Sequence, residues 1–397
     1  MISKRASQIA PSETLKITGR AKELQRAGKP VISLSAGEPD FLTPRYICDA
    51  AIEAIDAGFH GYTANPGTPE LRQAIVDKLK RDNGLDYKPS QIVVSNGAKQ
   101  SVGFSCLALI DEGDEVVIPA PYWVSYPEMV KLAGGTPVPV STKFENNYRL
   151  TADQLEQAIT DKTKALILCS PSNPTGSCYS ADELSALADV LRKHPKIVVI
   201  SDEIYEYIVF DQKHVGIGQV APDLKDRLVV VNGFSKGFAM TGWRLGYLAA
   251  PEAIASAVAK IQSQETSAPS SISQKAGEAA YKHPLDEVHA MRDAFKKRRD
   301  FIVDYLNNLE GVSCFKPGGA FYVFPDISAY LNKKTADGKD IKTSTDLCLY
   351  LLEEHNIALV PGDAFGEPNG VRISYAASMD NIKEALERLK KGLNSLQ

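Results

Sequence analysis

The 397-residue sequence has no long uninterrupted apolar run, and none of its runs reaches the length of a transmembrane helix. Its six cysteines are dispersed, without Cys-x-x-Cys pairs or the Cys/His spacing of zinc sites, so reduced thiols and no metal are expected. The first twelve residues lack an apolar core like that of a signal peptide, and we therefore expect a cytoplasmic protein. The net charge of -4 indicates neither a nucleic-acid nor a membrane partner.

Three widespread ligand-binding motifs are also missing. The chain has no Gly-x-Gly-x-x-Gly for a nicotinamide site, no Walker lysine motif and no zinc-protease helix. The amino-acid composition, with 44% hydrophobic and 24% charged residues, is ordinary for a globular protein. At this length two domains are expected.

From residue 91 onwards, apolar runs alternate with segments of helical pattern. The runs are short, continuous and rich in β-branched residues, and they cover residues 92–94, 115–118, 165–169, 197–201 and 229–231. Continuous rather than alternating apolarity is typical of strands that helices cover on both faces. The pattern therefore predicts an α/β domain with a mostly parallel sheet, whose strand ends face one ligand-binding crevice.

The remaining segments predict a second, smaller α+β domain. A helix-rich stretch covers residues 251–308, and its basic segment 296–299 is expected to form a solvated helix face. The first strand, residues 31–35, has no partner nearby in sequence, so it is predicted to pack with the C-terminal part. The predicted limits are 48–290 for the large domain, 12–47 with 291–397 for the small domain, and 1–11 for an N-terminal arm.

One strand end carries a lysine in a setting typical of a reactive amine. The run 229–231 closes in Asn-Gly, Lys236 follows beside Ser235, and Arg244 comes eight residues later. Burial lowers the pKa of a lysine and lets it form an imine, while an arginine can bind a phosphate. On this stretch alone a solvated loop lysine is the more frequent case, because most lysines are surface residues.

The other strand ends supply groups that suit a single ligand. Gly97, Ala98 and Lys99 lie at a strand-to-helix junction, where backbone N–H groups and the helix dipole favour a phosphate. Trp123 either stacks on a planar ring or packs as an ordinary aromatic. Asn173, between two prolines, is either a turn residue or a fixed donor to a ligand oxygen.

Two charged residues are placed where burial demands a partner. Asp202 follows five apolar residues, so its carboxylate needs a cation such as a protonated ring nitrogen, unless it is a helix N-cap. Tyr205 is predicted on the same side of a following helix. Arg372 lies in an apolar strand, and a buried arginine needs an anion, for which a carboxylate is the natural bidentate partner. A surface-facing position is the alternative for Arg372.

Together these groups describe a pocket for pyridoxal phosphate. This cofactor needs an imine-forming amine, a counter-ion for its pyridinium, donors to its ring oxygen, a phosphate cradle and a stacking surface. The prediction depends on the combination, since each position alone has an ordinary structural explanation.

Several motifs, in this order, resemble the class I pyridoxal-phosphate-dependent aminotransferases of fold type I, and most of all the bacterial-type aspartate aminotransferases. They are Ser-Ala-Gly-Glu-Pro-Asp-Phe (35–41), Gly-Ala-Lys-Gln (97–100), Pro-Tyr-Trp-Val-Ser-Tyr-Pro (121–127), Ser-Pro-Ser-Asn-Pro-Thr-Gly (170–176), Ser-Asp-Glu-Ile-Tyr (201–205), Ser-Lys-Gly-Phe-Ala-Met-Thr-Gly-Trp-Arg-Leu-Gly (235–246) and Val-Arg-Ile-Ser-Tyr-Ala (371–376). The resemblance runs from about residue 12 to the C-terminus. It implies a large domain with a mostly parallel seven-stranded sheet, and a smaller α+β domain. Cis peptide bonds are predicted before Pro121 and Pro174.

The resemblance also implies a role for each candidate residue. Lys236 is the Schiff-base lysine, Asp202 pairs with the pyridine nitrogen, and Asn173 and Tyr205 reach the ring oxygen. The other implied contacts are Trp123 on the ring; Gly97, Ala98, Lys99, Ser235 and Arg244 around the cofactor and its phosphate; Tyr62 from the other subunit of a homodimer with shared active sites; and Gly37 and Arg372, with Trp123 and Asn173, at the substrate.

The implied reaction moves the amino group of L-aspartate to 2-oxoglutarate, which gives oxaloacetate and L-glutamate. The second carboxylate of these substrates needs another cation, for which Lys99 is the candidate, with Ser12 and Thr14 as hydroxyl donors. The alternatives are an aromatic, alanine or prephenate specificity, a lyase, and a non-catalytic pyridoxal phosphate sensor. Relatives that also aminate prephenate tend to have a lysine before Pro-Ser, where this chain has Ala10, which argues against that activity. No helix-turn-helix segment precedes residue 12, which argues against the sensor.

Overall fold

The computed structural model describes residues 2–10 and 13–397, apart from the side chains of residues 4, 5 and 13–15. Its α-helices are Lys4–Ser7 (α1), Glu13–Arg26 (α2), Arg45–Asp56 (α3), Pro69–Asn83 (α4), Ala98–Leu109 (α5), Ser125–Ala133 (α6), Ala152–Ala158 (α7), Ala181–Lys193 (α8), Ile217–Val220 (α9), Glu252–Glu265 (α10), Ser271–Lys282 (α11), Asp286–Asn307 (α12), Ser344–His355 (α13) and Met379–Asn394 (α14). Its strands are Ile32–Ser33 (β1), Ile92–Ser95 (β2), Glu115–Ala120 (β3), Thr136–Ser141 (β4), Thr163–Cys169 (β5), Val198–Asp202 (β6), Leu228–Gly233 (β7), Gly246–Ala249 (β8), Tyr322–Val323 (β9), Lys333–Lys334 (β10), Asp340–Ile341 (β11), Ile357–Ala358 (β12), Val360–Pro361 (β13) and Val371–Ser374 (β14).

A seven-stranded sheet in the order β2-β8-β7-β6-β5-β3-β4 forms the centre of the molecule. The pairs β3–β4, β3–β5, β5–β6 and β6–β7 are parallel, whereas β8 runs antiparallel to both β2 and β7. Every residue of β2, β7 and β8 is buried, as expected for strands covered on both faces. The fold is therefore the predicted α/β class with a mostly parallel seven-stranded sheet.

Two strands of this sheet do not stand out in the sequence. The first, β4, contains Pro137 and Pro139 and lies at the sheet edge, where strands tolerate proline because one side needs no N–H donor. The second, β8, begins at Gly246, directly after the loop that carries Lys236 and Arg244, so its short apolar run looks like part of that loop. The prolines of β4 and the direct continuation of β8 from the preceding loop therefore explain why neither strand was predicted.

The N- and C-terminal parts of the chain are joined by strand pairing. Strand β1 pairs in parallel with β12, with Ile32 opposite Ile357, so the predicted packing of the first strand with the C-terminal part is confirmed. Strands β13, β14 and β9 form a separate antiparallel sheet that carries Arg372. The limits of the two domains stay a prediction.

Helix α12 is less solvated than the sequence predicts. The guanidinium of Arg299 is completely buried and donates to Asp211 at 2.6 Å and to Asp300 at 2.8 Å. It also donates to the carbonyl of Pro317 at 3.1 Å. The prediction of a solvated face was therefore wrong for Arg299, because paired carboxylates make its burial tolerable. Within the described residues, no helix has the length and apolar character that crossing a membrane requires.

Candidate active site

A cavity of about 290 Å³ lies between the strand ends of the central sheet and the antiparallel sheet formed by β13, β14 and β9. Its lining includes the predicted residues Gly37, Ala98, Lys99, Trp123, Asn173, Asp202, Tyr205, Ser235, Lys236, Arg244 and Arg372. Gly97 lies just outside it, in the junction that precedes α5. Ser12 and the side chain of Thr14 lie outside the described residues. Residues from distant parts of the chain thus converge on one site.

The side chain of Lys236 is half-buried at the wall of this cavity. Its Nζ donates to the carbonyl oxygen of Gly37 at 2.5 Å and lies 5.9 Å from the centre of the Tyr205 ring. Burial, followed by the positive charge of Arg372, lowers the pKa of Lys236 to about 8. With this pKa roughly a tenth of the amine is neutral at pH 7, far more than for an ordinary lysine, so it is more readily available as a nucleophile or base.

Asp202, at the end of β6, is 3% exposed and accepts two hydrogen bonds from neutral donors. The hydroxyl of Tyr126 donates to Oδ2 at 2.7 Å, and the backbone N–H of Ile204 donates to Oδ1 at 3.2 Å. Burial raises the pKa of Asp202 to about 6, although the Tyr126 hydrogen bond opposes this rise. A buried carboxylate whose direct donors are neutral suits a positively charged ring nitrogen.

The segment after Asp202 differs from the sequence prediction. Residues 204–207 form a turn and not a helix, so Asp202 is not an N-cap and Tyr205 does not share a helix face with it. Tyr205 nevertheless lines the cavity, where its hydroxyl hydrogen-bonds that of Tyr322 at 3.0 Å. A turn, and not the predicted helix, therefore brings Tyr205 to the same cavity as Asp202.

Arg372 is a buried cation in the lining of the cavity, with 2% of its surface exposed. It donates to Asn173 Oδ1 at 2.9 Å and to the carbonyl of Ser35 at 2.7 Å. No Asp or Glu among the described residues forms an ion pair with it, and its buried Nε has no hydrogen-bond partner. Burial lowers the pKa of the guanidinium. A guanidinium that faces a cavity in this state is suited to bind a carboxylate.

The junction before α5 has the geometry of an anion site. Gly97 has a φ of 81°, and a side chain there would collide with the guanidinium of Arg244. Arg244 is held by hydrogen bonds to the carbonyls of Thr241 at 2.8 Å and Asn96 at 3.2 Å. The N-terminus of α5, its backbone N–H groups and this guanidinium can therefore act on one phosphate.

Two further side chains of the lining, Lys99 and Trp123, lie close to each other. The ammonium of Lys99 is 5.3 Å from the centre of the Trp123 ring, and the charge of Lys99 is disfavoured by burial and by Arg244, which lower its pKa. Trp123 packs edge-on against Tyr126, with ring centroids 5.3 Å apart. The indole is thereby fixed beside the donor to Asp202.

Sequence reasoning missed a buried charge network behind the turn that carries Tyr205. Glu203 accepts from Ser201 at 2.9 Å and pairs with His214 at 2.9 Å, while Glu206 forms an ion pair with Lys78. Tyr126 and Tyr322 were also missed as site residues. Motif position hinted at Tyr126, which lies within 121–127, but its contact with Asp202 spans 76 residues and leaves no local pattern.

Tyr62 is the one described candidate that its own chain does not bring near the cavity. Its side chain is fully exposed, in the loop that precedes α4. The predicted cis peptide bonds before Pro121 and Pro174 are confirmed, and a third, before Pro171, was not predicted.

The donor set fits pyridoxal phosphate. The cavity has a half-buried amine, a buried carboxylate with neutral donors, an indole plate, and a helix N-terminus beside an arginine. Buried Arg372 is an additional cation that none of the cofactor's own groups requires. The site therefore suits the cofactor together with a carboxylate ligand.

The chain matches a family model over most of its length and many curated proteins over nearly all of it. The model for aminotransferase class I and II covers residues 29–389. An aspartate aminotransferase from Geobacillus stearothermophilus is 48% identical over 391 residues, which are 98% of each chain. A bifunctional aspartate aminotransferase and glutamate/aspartate-prephenate aminotransferase from Petunia hybrida is 50% identical over 100% of this chain and 83% of its own length.

Solved structures show the same likeness. The crystal structure of an aspartate aminotransferase from Rhizobium meliloti superposes with a TM-score of 0.97 at 47% identity, over 100% of both chains. The aspartate aminotransferase from Thermus thermophilus, solved with maleate, superposes with a TM-score of 0.91 at 38% identity, over 99% of both chains.

Proposed function

This chain belongs to the class I and II aminotransferases and is a pyridoxal-phosphate-dependent transaminase, and from that premise we propose that it moves the amino group of L-aspartate to 2-oxoglutarate. The products are oxaloacetate and L-glutamate. The observation that supports this choice is the 48% identity over nearly the whole chain to relatives named as aspartate aminotransferases. Arg372, a buried guanidinium without a carboxylate partner in the described chain, lines the cavity of Lys236 and would bind the α-carboxylate that every amino-acid substrate carries.

The residues of the site divide the work between binding and proton transfer. When bound, pyridoxal phosphate supplies a protonated ring that withdraws electrons from the substrate. The carboxylate of Asp202 would hold the proton on the ring nitrogen, and Trp123 would supply a stacking surface. The amine of Lys236, with its pKa lowered to about 8, would take the proton from the substrate's Cα and pass it to the cofactor.

A panel of substrates tests the proposed specificity. In a coupled assay with several amino donors and 2-oxo acids, aspartate with 2-oxoglutarate is expected to have the highest kcat/KM. Prephenate belongs in the panel because some relatives are named as aspartate/prephenate aminotransferases, whereas Ala10 in this chain argues against it. A clear preference for aromatic amino acids or alanine would contradict the proposal.

We expect Lys99 to bind the side-chain carboxylate of the substrate, since it is a second cation in the lining of the cavity besides Arg372, the proposed site of the α-carboxylate. In Lys99→Ala, kcat/KM for aspartate and glutamate should fall roughly tenfold to a hundredfold, the effect of losing one charged hydrogen bond of about 1.5–3 kcal/mol. Alanine and phenylalanine, which have no such carboxylate, should change little.

The exposed Lys162 provides a matched control, and Lys162→Ala should leave all substrates unaffected. An equal loss across all donors in Lys99→Ala, together with weaker cofactor binding, would instead assign Lys99 to the cofactor phosphate. In that case no cation would be known for the side-chain carboxylate, and the proposed preference for aspartate would lose this support.

We also propose a homodimer in which Tyr62 of each subunit reaches the cofactor phosphate of the other. Its full exposure in a loop that does not line its own cavity suits such a role. A location in the cytoplasm is proposed too, since the six cysteines are all free, as is usual in a reducing compartment.

Mixing two inactive variants tests the shared site. Neither Tyr62→Ala nor Lys236→Ala is expected to retain much activity as a homodimer. A hybrid dimer has one site with both Lys236 and Tyr62 intact, so mixing under conditions of subunit exchange should restore part of the activity. The absence of any recovery, with hybrid formation confirmed by mass spectrometry, would rule out shared sites.

A further inference from the structure

The loop that carries Tyr62 has a rigid base, although Tyr62 itself is fully exposed. Gly67 N–H donates to the carbonyl of Ala64 at 2.9 Å, and Val94 N–H donates to the carbonyl of Pro66 at 3.0 Å. Gly67 has a φ of 101°, and any side chain there would collide with Val94. The loop therefore packs closely against β2, the strand that leads to Gly97 and the predicted phosphate site before α5.

Gln274, in the first turn of α11, is completely buried and bonds to both ends of this loop. Its Oε1 accepts from the N–H of Thr68 at 2.8 Å, while its Nε2 donates to Thr63 Oγ1 at 2.9 Å. The same Nε2 donates to the carbonyl of Pro269 at 2.9 Å. One side chain thus fixes the distance between the start and the end of the loop and ties both to α11.

Gln262, in α10, is also completely buried and holds the middle of the loop. Its Nε2 donates to the carbonyl of Asn65 at 2.9 Å and to that of Val94 in β2 at 2.9 Å. The position of the loop is therefore coupled directly to the strand that leads to Gly97.

Burying two glutamine side chains is costly unless their amides are hydrogen-bonded. Gln274 makes two of its three hydrogen bonds to this loop, whereas Gln262 Nε2 makes one to the loop and one to β2, and its buried Oε1 has no partner. Apolar residues would fill the same space without that constraint. None of the described residues hydrogen-bonds to Tyr62. The two glutamines therefore hold a loop whose exposed Tyr62 makes no hydrogen bond within its own chain. Rigid presentation of an exposed side chain lowers the entropy cost of its binding.

We propose that Gln262 and Gln274 are positioning residues that hold the 61–68 loop ready to place Tyr62 against the cofactor phosphate of a second copy of this chain. This inference rests on the proposed shared site. It assigns part of the cofactor affinity of each subunit to two buried amides of the other subunit, which touch neither cofactor nor substrate.

The first test uses Gln274→Met, Thr63→Val and the control Gln73→Met in the full-length, cofactor-loaded protein. Thr63→Val removes the Oγ1 acceptor of Gln274, together with a long 3.5 Å hydrogen bond to the carbonyl of Ala64, and preserves the shape of the side chain. Gln73 is an exposed glutamine of α4 whose amide bonds to Asp77. We expect faster hydrogen exchange at the amides of residues 61–68 in the first two variants, and about tenfold weaker cofactor affinity in Gln274→Met, equivalent to about 1.4 kcal/mol. The control should match the unmodified protein.

The decisive test is a hybrid of Gln274→Met with Lys236→Ala subunits. The only Lys236 of this hybrid lies in the Gln274→Met subunit, but the loop it receives comes from the Lys236→Ala subunit, whose Gln274 is intact. The cofactor concentration for half-maximal turnover should therefore return to that of the unmodified dimer. If it stays as high as in the Gln274→Met homodimer, the defect acts within one chain and the inference is wrong.

A second variant and the Tyr62 mixture separate this inference from the proposed shared site. Should Gln274→Met fail to fold, Thr63→Val takes its place in the same hybrid with the same expected rescue. Recovery in the Tyr62 and Lys236 mixture without rescue of the Gln274 or Thr63 variant would overturn this inference alone. No recovery in the Tyr62 mixture would overturn the shared site and this inference with it.

Discussion

Replacement of Lys236 by alanine is expected to lower kcat by at least about 10⁴-fold, the upper range for the loss of a positioned general base. The variant loses the amine that donates to the carbonyl of Gly37, and with it both the nucleophile for the cofactor and the base for the substrate's Cα proton. Steady-state turnover with aspartate and 2-oxoglutarate measures the loss. The absorption spectrum of the cofactor should change at the same time, because no covalent link to the protein can form.

The structure also predicts what Lys236→Ala should leave intact. Asp202, Arg244 and the α5 N-terminus still offer contacts to the cofactor, so the variant should bind it noncovalently and unfold at a similar temperature. Lys162→Ala again serves as the control for a lysine outside the cavity. Turnover within tenfold of the unmodified protein would show that another group acts as nucleophile and base.

The second large effect is expected in Asp202→Asn, which keeps the shape of the side chain but removes its charge. Removing one partner of a buried charge pair costs about 3–5 kcal/mol, so kcat should fall by roughly 10²- to 10³-fold or more. The ring nitrogen of the cofactor should lose its proton at a lower pH than in the unmodified protein. Turnover and a pH titration of the cofactor absorption measure these two effects.

Tyr126→Phe is the matched control for the charge of Asp202. It removes the 2.7 Å hydrogen bond to Oδ2 and leaves the carboxylate in place, so its effect should be far smaller than that of Asp202→Asn. The hydroxyl opposes the rise in the pKa of Asp202, and its loss should raise that pKa further. Equal losses in the two variants would show that the hydrogen bond, and not the charge, is what the site requires.

Arg372 and Asn173 show how substrate and cofactor binding are linked. The guanidinium donates to Asn173 Oδ1, so the asparagine predicted to reach the cofactor's ring oxygen also orients the cation predicted to hold the substrate. Each residue limits the rotamers of the other. A change in either residue should therefore affect both ligands.

The sequence by itself determined the class of the fold and most of the site. Strands buried on both faces must be apolar along their whole length, and the polar residues at their ends must serve a ligand or a turn; both signals are local. Lys236, Asp202 and Asn173 were found in this way. The order of the motifs then indicated the family.

Only the tertiary structure decided which groups share a hydrogen bond or a low-dielectric environment. The contact of Lys236 with Gly37 spans 199 residues, and the contact of Arg372 with Ser35 spans 337, so neither leaves a periodic signal. The edge position of β4, the turn after Asp202, the pairing of Arg299 and the bracing of the 61–68 loop depend likewise on neighbours distant in sequence. Burial by such neighbours lowers the pKa of Lys236 to about 8 and raises that of Asp202 to about 6, because desolvation disfavours the charged form of each group.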